Sequence, residues 1–270
     1  MVSSEKRVVL ITGASSGIGL ALTQVFAENG FSVMMSARNN TTLQLAAKPL
    51  QHIGHSIATF PADVAIEAEV KKLIEATILQ FGKINVLICN AGITMRGLIK
   101  DSEINVIQNV VNTNFWGSVF ATKYALPFLE KEKGSIIVMS SVAGYIGLPT
   151  RGGYSASKFA LEGFFESLRI EYLKKNLHVL IARPGFTKTA IRDRMLDAKG
   201  NEQGISHKEE KGSLNVREVA LKIYKSYENK KPYLMMGFEA WFSYFFKKWL
   251  PRITDQIIYR FISKEKNSGL

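Results

Sequence analysis

Tyr154 and Lys158 stand four residues apart in the run Tyr154-Ser155-Ala156-Ser157-Lys158. On a helix that spacing puts a phenol and an ammonium on one face, able to point at one place. A phenol with a pKa of about 10 is a poor proton carrier near neutrality. An ammonium about 4 Å away, at an effective dielectric of about 20, attracts the phenolate by about 4 kcal/mol. That corresponds to roughly three pKa units before desolvation is subtracted, enough to poise the phenol near working pH. Such a pair suits proton transfer to an oxygen that gains charge, as when a carbonyl becomes an alcohol. Ser141 lies 13 residues before Tyr154 at the end of an apolar run, with Ser140 beside it, and a hydroxyl there can hold the same oxygen. Asn112 and Asn114 come earlier, in Val111-Asn112-Thr113-Asn114-Phe115-Trp116-Gly117. Taken alone, Tyr and Lys at this spacing also describe an ordinary amphipathic helix with a surface lysine.

A second set of residues suits a phosphate. The apolar run Val8–Thr12 leads into Thr12-Gly13-Ala14-Ser15-Ser16-Gly17-Ile18-Gly19. Glycines at such a turn let the backbone approach a pyrophosphate, and the helix that follows offers amide donors and a positive dipole end. A tight turn without a ligand is the bland alternative, and the position between strand and helix argues against it. The run ending at Ala37 continues as Ser36-Ala37-Arg38-Asn39, with no carboxylate between Ser32 and Thr42. An NAD-preferring site places an Asp or Glu near this strand end for the ribose 2′-hydroxyl. Arg38 can instead pair with a 2′-phosphate, with Ser36 and Asn39 as donors. These residues point to NADP(H).

Two further landmarks are Cys89-Asn90-Ala91-Gly92 and Pro184-Gly185. Together with the glycine turn and the Ser, Tyr and Lys set, in this order, the sequence resembles the short-chain dehydrogenase/reductases. Their turn reads TGxxxGxG and their fourth strand ends in NNAG, here with Cys89 in the first place. The resemblance covers roughly residues 6–237. It implies an oxidoreductase that interconverts an alcohol and a ketone or aldehyde, the cofactor supplying a hydride and Tyr154 the proton. The family's 13-residue spacing favours Ser141 over Ser140, and the match to Trp116-Gly117 favours Asn114 over Asn112. The resemblance further implies that Lys158 binds ribose hydroxyls and that Asn114 holds a water linking Lys158 to solvent. Asp63-Val64 matches an adenine contact, Asn90-Ala91-Gly92 another cofactor-binding element, and Thr187 and Thr189 match positions that bind the nicotinamide carboxamide. Family members are commonly dimers or tetramers, so a homodimer or homotetramer is expected.

The elements that must position these groups read as alternating strands and helices. Short apolar runs occur at Val8–Thr12, Phe31–Ala37, Ser56–Phe60, Ile84–Asn90, Ser135–Ser141, His178–Arg183 and Pro232–Met236. Runs this rich in Val and Ile and nearly free of charge read as strands buried on both faces of a parallel sheet. The segments between most of them are long enough for crossover helices. The expected fold is α/β: a doubly wound, Rossmann-type, mostly parallel seven-stranded sheet with helices on both faces and a helical tail. Residues 1–237 form the dinucleotide-binding catalytic domain and 238–270 an aromatic, basic extension of it. Residues 8–27 carry no charge but hold Gly13, Gly17 and Gly19, so they read as strand, turn and helix, not as a leader or membrane span. The polar stretch 186–214 reads as an excursion over the sheet's carboxyl edge, a lid in form.

The net charge of +12 favours anionic partners. No compact basic motif argues for nucleic acid, and no Cys/His spacing argues for a metal. The single Cys89 excludes an internal disulfide and points to a reducing compartment, so a cytoplasmic location is expected. Pocket positions should follow the fourth, fifth and sixth strands. Ile93, Met95, Val142, Tyr145, Ile146, Leu148 and Phe186 lie there, and suit either a core or a pocket for an apolar alcohol or carbonyl compound. In residues 241–262, Phe242, Phe245, Phe246 and Trp249 recur on one helical face and Pro251 should end or kink that helix. Such a segment can pack on its own domain, on a second subunit or peripherally on a membrane surface. Two other classes remain in view: a non-catalytic NADP(H)-binding regulator, and a membrane-surface scaffold.

Overall fold

A computed structural model describes residues 6–185, 187, 191, 194–204 and 214–263, without the side chains of 238–243. Its centre is a seven-stranded sheet in the order β3-β2-β1-β4-β5-β6-β7. The strands are β1 (Val8–Thr12), β2 (Ser32–Ala37), β3 (Ile57–Pro61), β4 (Val86–Cys89), β5 (Ser135–Met139), β6 (His178–Arg183) and β7 (Tyr233–Met235). Every neighbouring pair is parallel, so the sheet is wholly and not just mostly parallel.

Alternation along each central strand feeds two cores. Val9, Ile11, Val33, Met35, Ile137 and Leu180 face one side, with α1 (Gly17–Glu28), α2 (Asn40–His52) and α7 (Val216–Glu228) packed over them. Leu10, Met34, Leu87, Ile136, Val138 and Ile181 face the other. There α3 (Glu67–Phe81), α5 (Gly117–Lys131) and α6 (Gly152–Glu171) supply Leu73, Leu129 and Phe165. That double winding forces the chain to reverse direction across the sheet between β1 and β4. A crevice opens there at the carboxyl ends of the strands.

β4 and β5 stop before the apolar runs do, because polar side chains leave the ladder. The Asn90 side chain turns to the glycine turn, and Ser141 caps a short 3₁₀ turn at Val142–Gly144 by accepting a hydrogen bond from Ala143 N. The described part of the excursion, 194–204, lies along the loop after β4. Leu196 N donates to Thr94 O, and Arg96 N donates to Leu196 O. At the C-terminal end, α8 (Phe238–Trp249) is followed by α9 (Pro251–Ser263), and the two pack together. Pro251 occupies the first position of α9, where its missing N–H costs nothing. No helix among the described residues is long and apolar enough to cross a membrane.

Candidate active site

The turn after β1 is built on Gly13, whose φ of +66° is left-handed; a Cβ there would lie 2.8 Å from Ala91 Cα. Asn90 locks the turn: its Nδ2 donates to Thr12 O at 2.9 Å and Gly13 O at 3.0 Å. Thr12 Oγ1 returns the bond, accepting from Asn90 N and Ala91 N, both at 3.1 Å. Asn90-Ala91 therefore braces the glycine turn from the neighbouring strand. Ser15, Ser16, Gly17 and Ile18 are half-buried at the start of α1 and Gly19 is buried. The Ser16 side chain makes no cap bond, and the first turn of α1 holds no acidic residue. Helix amides left open to an anion, beside a backbone that approaches closely, fit a pyrophosphate.

Around the end of β2 the candidates divide. Arg38 is exposed, and its Nη1 lies 3.9 Å from Asp63 Oδ2, a loose contact. Asn39 caps α2 by accepting from Thr42 N at 2.9 Å. Asp63 Oδ1 accepts from Ala65 N at 2.9 Å, which shapes the turn that follows β3. Two expectations need correction. Ser36 is fully buried with its hydroxyl unpartnered, because helices cover both faces of β2, so it does not share the exposed position of Arg38 expected of a 2′-phosphate donor. The Val64 side chain is buried against Gly117, which leaves only its backbone for an adenine.

The catalytic candidates come from four places. α4 (Ile104–Val111) runs through a π-helical turn at Asn112–Trp116 into α5. One extra residue in a helical turn re-aims side chains, and such bulges recur at functional sites. Here Asn112 points to solvent while Asn114 is fully buried. Asn114 accepts from Ile93 N at 2.8 Å and donates to Ile93 O at 3.0 Å and to Ser157 Oγ at 2.9 Å. Ser157 in turn donates to Tyr154 O at 2.7 Å. The two serines after β5 also separate: Ser140 is buried and donates to Glu162, whereas Ser141 is half-buried. Tyr154 and Lys158 sit in the first two turns of α6, with Lys158 Nζ 5.6 Å from the centroid of the phenol ring. Nζ donates to Met139 O at 2.7 Å. Burial pulls the Lys158 pKa down to about 8, against the opposing pull of Glu162 and Cys89. It stays charged below that pH. A Cβ on Gly92 would stand 3.1 Å from Asn114 Oδ1 and 3.8 Å from Lys158 Nζ, so the backbone after β4 borders the same cleft.

The other candidates are less uniform. Pro184 and Gly185 follow β6 directly, and Thr187 Oγ1 donates back to Gly185 O at 3.0 Å. Phe186 and Thr189 lie outside the described residues. Met95 is 1% exposed and packs with Val106 and Val110 beneath Ile107 and Tyr154. It packs against the phenol ring as part of a small core, a correction to the substrate set, where it was expected at a pocket wall. Val142 and Tyr145 remain half-buried, with the Tyr145 ring 5.1 Å from Tyr244 of α8. Cys89 is buried, and burial pushes its thiol up to about 12, which makes it inert.

Glu162 and Arg183 went unrecognised in the sequence. Arg183 Nη2 lies 2.6 Å from Glu162 Oε2 in a buried pair, with Glu162 one helical turn after Lys158. A signal existed: Glu162 falls four residues after Lys158 on the same helix face, and Arg183 is a charge at the end of an apolar strand.

Comparison with known proteins agrees with this geometry. The family model for the short chain dehydrogenases matches residues 7–200. The 11-beta-hydroxysteroid dehydrogenase A of Arachis hypogaea is 39% identical over 197 residues, 72% of this chain and 56% of that protein. The chain thus spans little more than half the length of that relative. A short-chain dehydrogenase/reductase from Burkholderia phymatum, solved with NAD, shares the fold at a TM-score of 0.83. It is 23% identical and covers 95% of this chain and 97% of its own. An alcohol dehydrogenase from Thermococcus sibiricus, complexed with 5-hydroxy-NADP, superposes at 0.76 with 25% identity over 86% of this chain and 96% of its own. With its glycine turn, its braced Asn-Ala-Gly element and its Tyr-Lys helix in family order, the chain belongs to the short-chain dehydrogenases.

Proposed function

We propose that this chain is an NADP(H)-dependent oxidoreductase that interconverts an alcohol and a ketone or aldehyde, with Tyr154 as general acid and base. The observation that carries the reading is Lys158: a buried ammonium pinned to Met139 O, 5.6 Å from the Tyr154 ring. An ammonium this close to the ring favours the phenolate over the phenol. A buried, charged lysine beside a phenol is a costly arrangement for a fold and a useful one for proton transfer.

Bound across the β1/β4 crevice, the cofactor supplies the hydride. Tyr154 gives its proton to the carbonyl oxygen, or takes it back from the alcohol in the reverse direction. Ser141 donates to that oxygen and orients it. Lys158 stabilises the phenolate and reaches the ribose hydroxyls. Asn114, fully buried and bonded to Ile93 and Ser157, ties the loop after β4 to the start of α6. The glycine turn and the α1 amides hold the pyrophosphate. Asp63, Asn90, Ala91 and Gly92 would hold the adenosine and ribose side of the cofactor, and Pro184, Gly185 and Thr187 the nicotinamide side, with Thr189, outside the described residues, assigned there by the family resemblance alone.

Arg38 supports NADP(H) over NAD(H). It is exposed, its contact with Asp63 is loose, and the chain carries no carboxylate of its own between Ser32 and Thr42 to hold a 2′-hydroxyl. A guanidinium takes a phosphate bidentately. The substrate is read as a lipophilic small molecule, because Val142 and Tyr145 offer rings and methyls at the cleft. Residues 238–270 are read as an extension of the catalytic domain. On α8 and α9, Phe245 is 52% exposed, Trp249 66% and Ile257 52%, with Lys248 and Arg252 also exposed. That composition suits a peripheral seat on an anionic membrane surface from the cytoplasmic side. The exposed Trp116 stacked on Phe120, with exposed Phe159, offers an apolar face for a homodimer or homotetramer.

The test is oxidation of NADPH by the purified chain against a panel of apolar ketones and aldehydes. Turnover with several, and much weaker turnover with NADH, supports the reading. Tight NADPH binding with no turnover of any carbonyl or alcohol would favour a regulator that senses the cofactor.

A further inference from the structure

Glu162 and Arg183 form a buried ion pair that no step above uses. Arg183 Nη2 lies 2.6 Å from Glu162 Oε2 and Arg183 Nε donates to Glu162 Oε1 at 3.0 Å, with side chains about one-tenth exposed. Glu162 Oε1 also accepts from Ser140 Oγ at 2.5 Å. One carboxylate on α6 therefore ties down the ends of both β5 and β6. Its covalent surroundings are the reaction's own parts. Glu162 lies one helical turn after Lys158 and two after Tyr154, Ser140 precedes Ser141, and Arg183 precedes Pro184.

Two more contacts close the arrangement. A Cβ on Gly144 would lie 2.5 Å from Ser140 Oγ and 3.0 Å from Glu162 Oε1, so the turn after Ser141 is folded down onto the same carboxylate. On the far side the Arg183 guanidinium lies 4.5 Å from the Tyr233 ring, 5.7 Å from Tyr145 and 5.8 Å from Tyr244 of α8. The three rings flank the cation on the side away from Glu162.

Stability alone does not account for this pair. Taking two charges out of water costs more than their attraction returns unless geometry is very good, and apolar residues of similar size are often at least as stable there. We infer that Glu162 is a positioning residue for the reaction: held by Arg183, it fixes the Ser140–Ser141 segment against the Tyr154 and Lys158 face of α6. This role rests on the oxidoreductase reading of the site. The carboxylate also favours the charged form of Lys158, in opposition to burial. The charged and titratable groups around that ammonium are Tyr154 and Glu162 on α6, Cys89 from β4 and, through Glu162, Arg183 from β6.

The experiment compares Glu162→Gln, Ser140→Ala and the paired variant Glu162→Met/Arg183→Met with the wild type. Each is measured for kcat, KM, NADPH affinity by fluorescence titration, and Tm. Small misplacements of reacting groups cost rates of up to about a hundredfold. Glu162→Gln should lower kcat at least about tenfold with NADPH affinity within about threefold, and should move the alkaline limb of the rate profile acidward as Lys158 loses its supporting charge. The paired variant leaves no unpaired charge, so its Tm should recover while its kcat stays low. Ser140→Ala, which spares the ion pair and so folds even if Glu162→Gln does not, should lower kcat with the alkaline limb unmoved. A paired variant with wild-type Tm and wild-type kcat, or Ser140→Ala at full kcat, overturns the positioning role. A wild type that turns over no carbonyl overturns the oxidoreductase reading first, and this role with it.

Discussion

Replacing Lys158 with Met should make the protein more stable and leave it inactive. Lys158 is 5% exposed, and burial lowers its pKa from an ordinary 10.5 to about 8. A difference of about 2.5 units is about 3 kcal/mol of penalty for holding the charged form in the fold at pH 7. Methionine is close in length and apolar, so it removes that penalty. It also removes the charge-assisted bond from Nζ to Met139 O, which costs about 2 kcal/mol. The net expectation is a gain of about 1 kcal/mol at pH 7, or about 2 °C in Tm for a chain of this size. The pH dependence has a definite sign. The folded pKa lies below the unfolded one, so between about 8 and 10.5 the unfolded chain binds the extra proton and wild-type stability rises with pH relative to the variant. The gap should be full below pH 8 and close towards 10.5. Urea unfolding of both proteins at several pH values measures it. A variant less stable than wild type at pH 7, or a gap that ignores pH, would refute the picture of Lys158 as a costly buried charge. The same variant should lose turnover and bind NADPH more weakly, because the phenolate support and the ribose contact go together.

Arg38→Ala should weaken NADPH binding about 10- to 150-fold, the loss of a charge-assisted contact of about 1.5–3 kcal/mol, while NADH affinity changes little; equal losses for both cofactors, by fluorescence titration, would remove the 2′-phosphate from Arg38. The full chain should sediment with vesicles containing anionic lipid and much less with neutral ones. Phe245→Ser/Trp249→Ser should cut the bound fraction at least about tenfold, since each ring contributes about 1.5–3 kcal/mol when buried. Binding that survives this double change, or that ignores lipid charge, argues against a seat on α8 and α9.

The fold was legible because its main signal is local. β1 and β6 have the bounds that their apolar runs suggest, and α1 starts at Gly17, within the glycine run. The Ser141, Tyr154 and Lys158 candidates were legible through spacing on one helix and at one strand end. What stayed hidden depends on parity and on convergence. Ser36 looked like a phosphate donor because it precedes Arg38, yet it shares the face of Met34, which the second core covers. Met95 looked like a pocket wall because it follows β4, but it fills a small third core beneath the phenol. Glu162, Ser140 and Arg183 lie on three different elements, and only the parallel register of β5 and β6 brings them to one carboxylate. In the tail, the face of aromatic residues stands as expected in part. Phe245 and Trp249 are exposed and Phe246 is half-buried, while the Phe242 side chain lies outside the described set.

The central claim is that the Tyr154 hydroxyl carries the proton. It is tested most directly by Tyr154→Phe, which removes one oxygen and leaves the ring on Ile107 and Met95 in place. With an apolar ketone that the wild-type chain reduces, kcat should fall to well under a tenth while NADPH affinity stays within about threefold, since general acid–base help is worth about 10²–10⁴ in rate. A variant that keeps a tenth or more of the wild-type kcat with the same cofactor affinity would contradict the assignment.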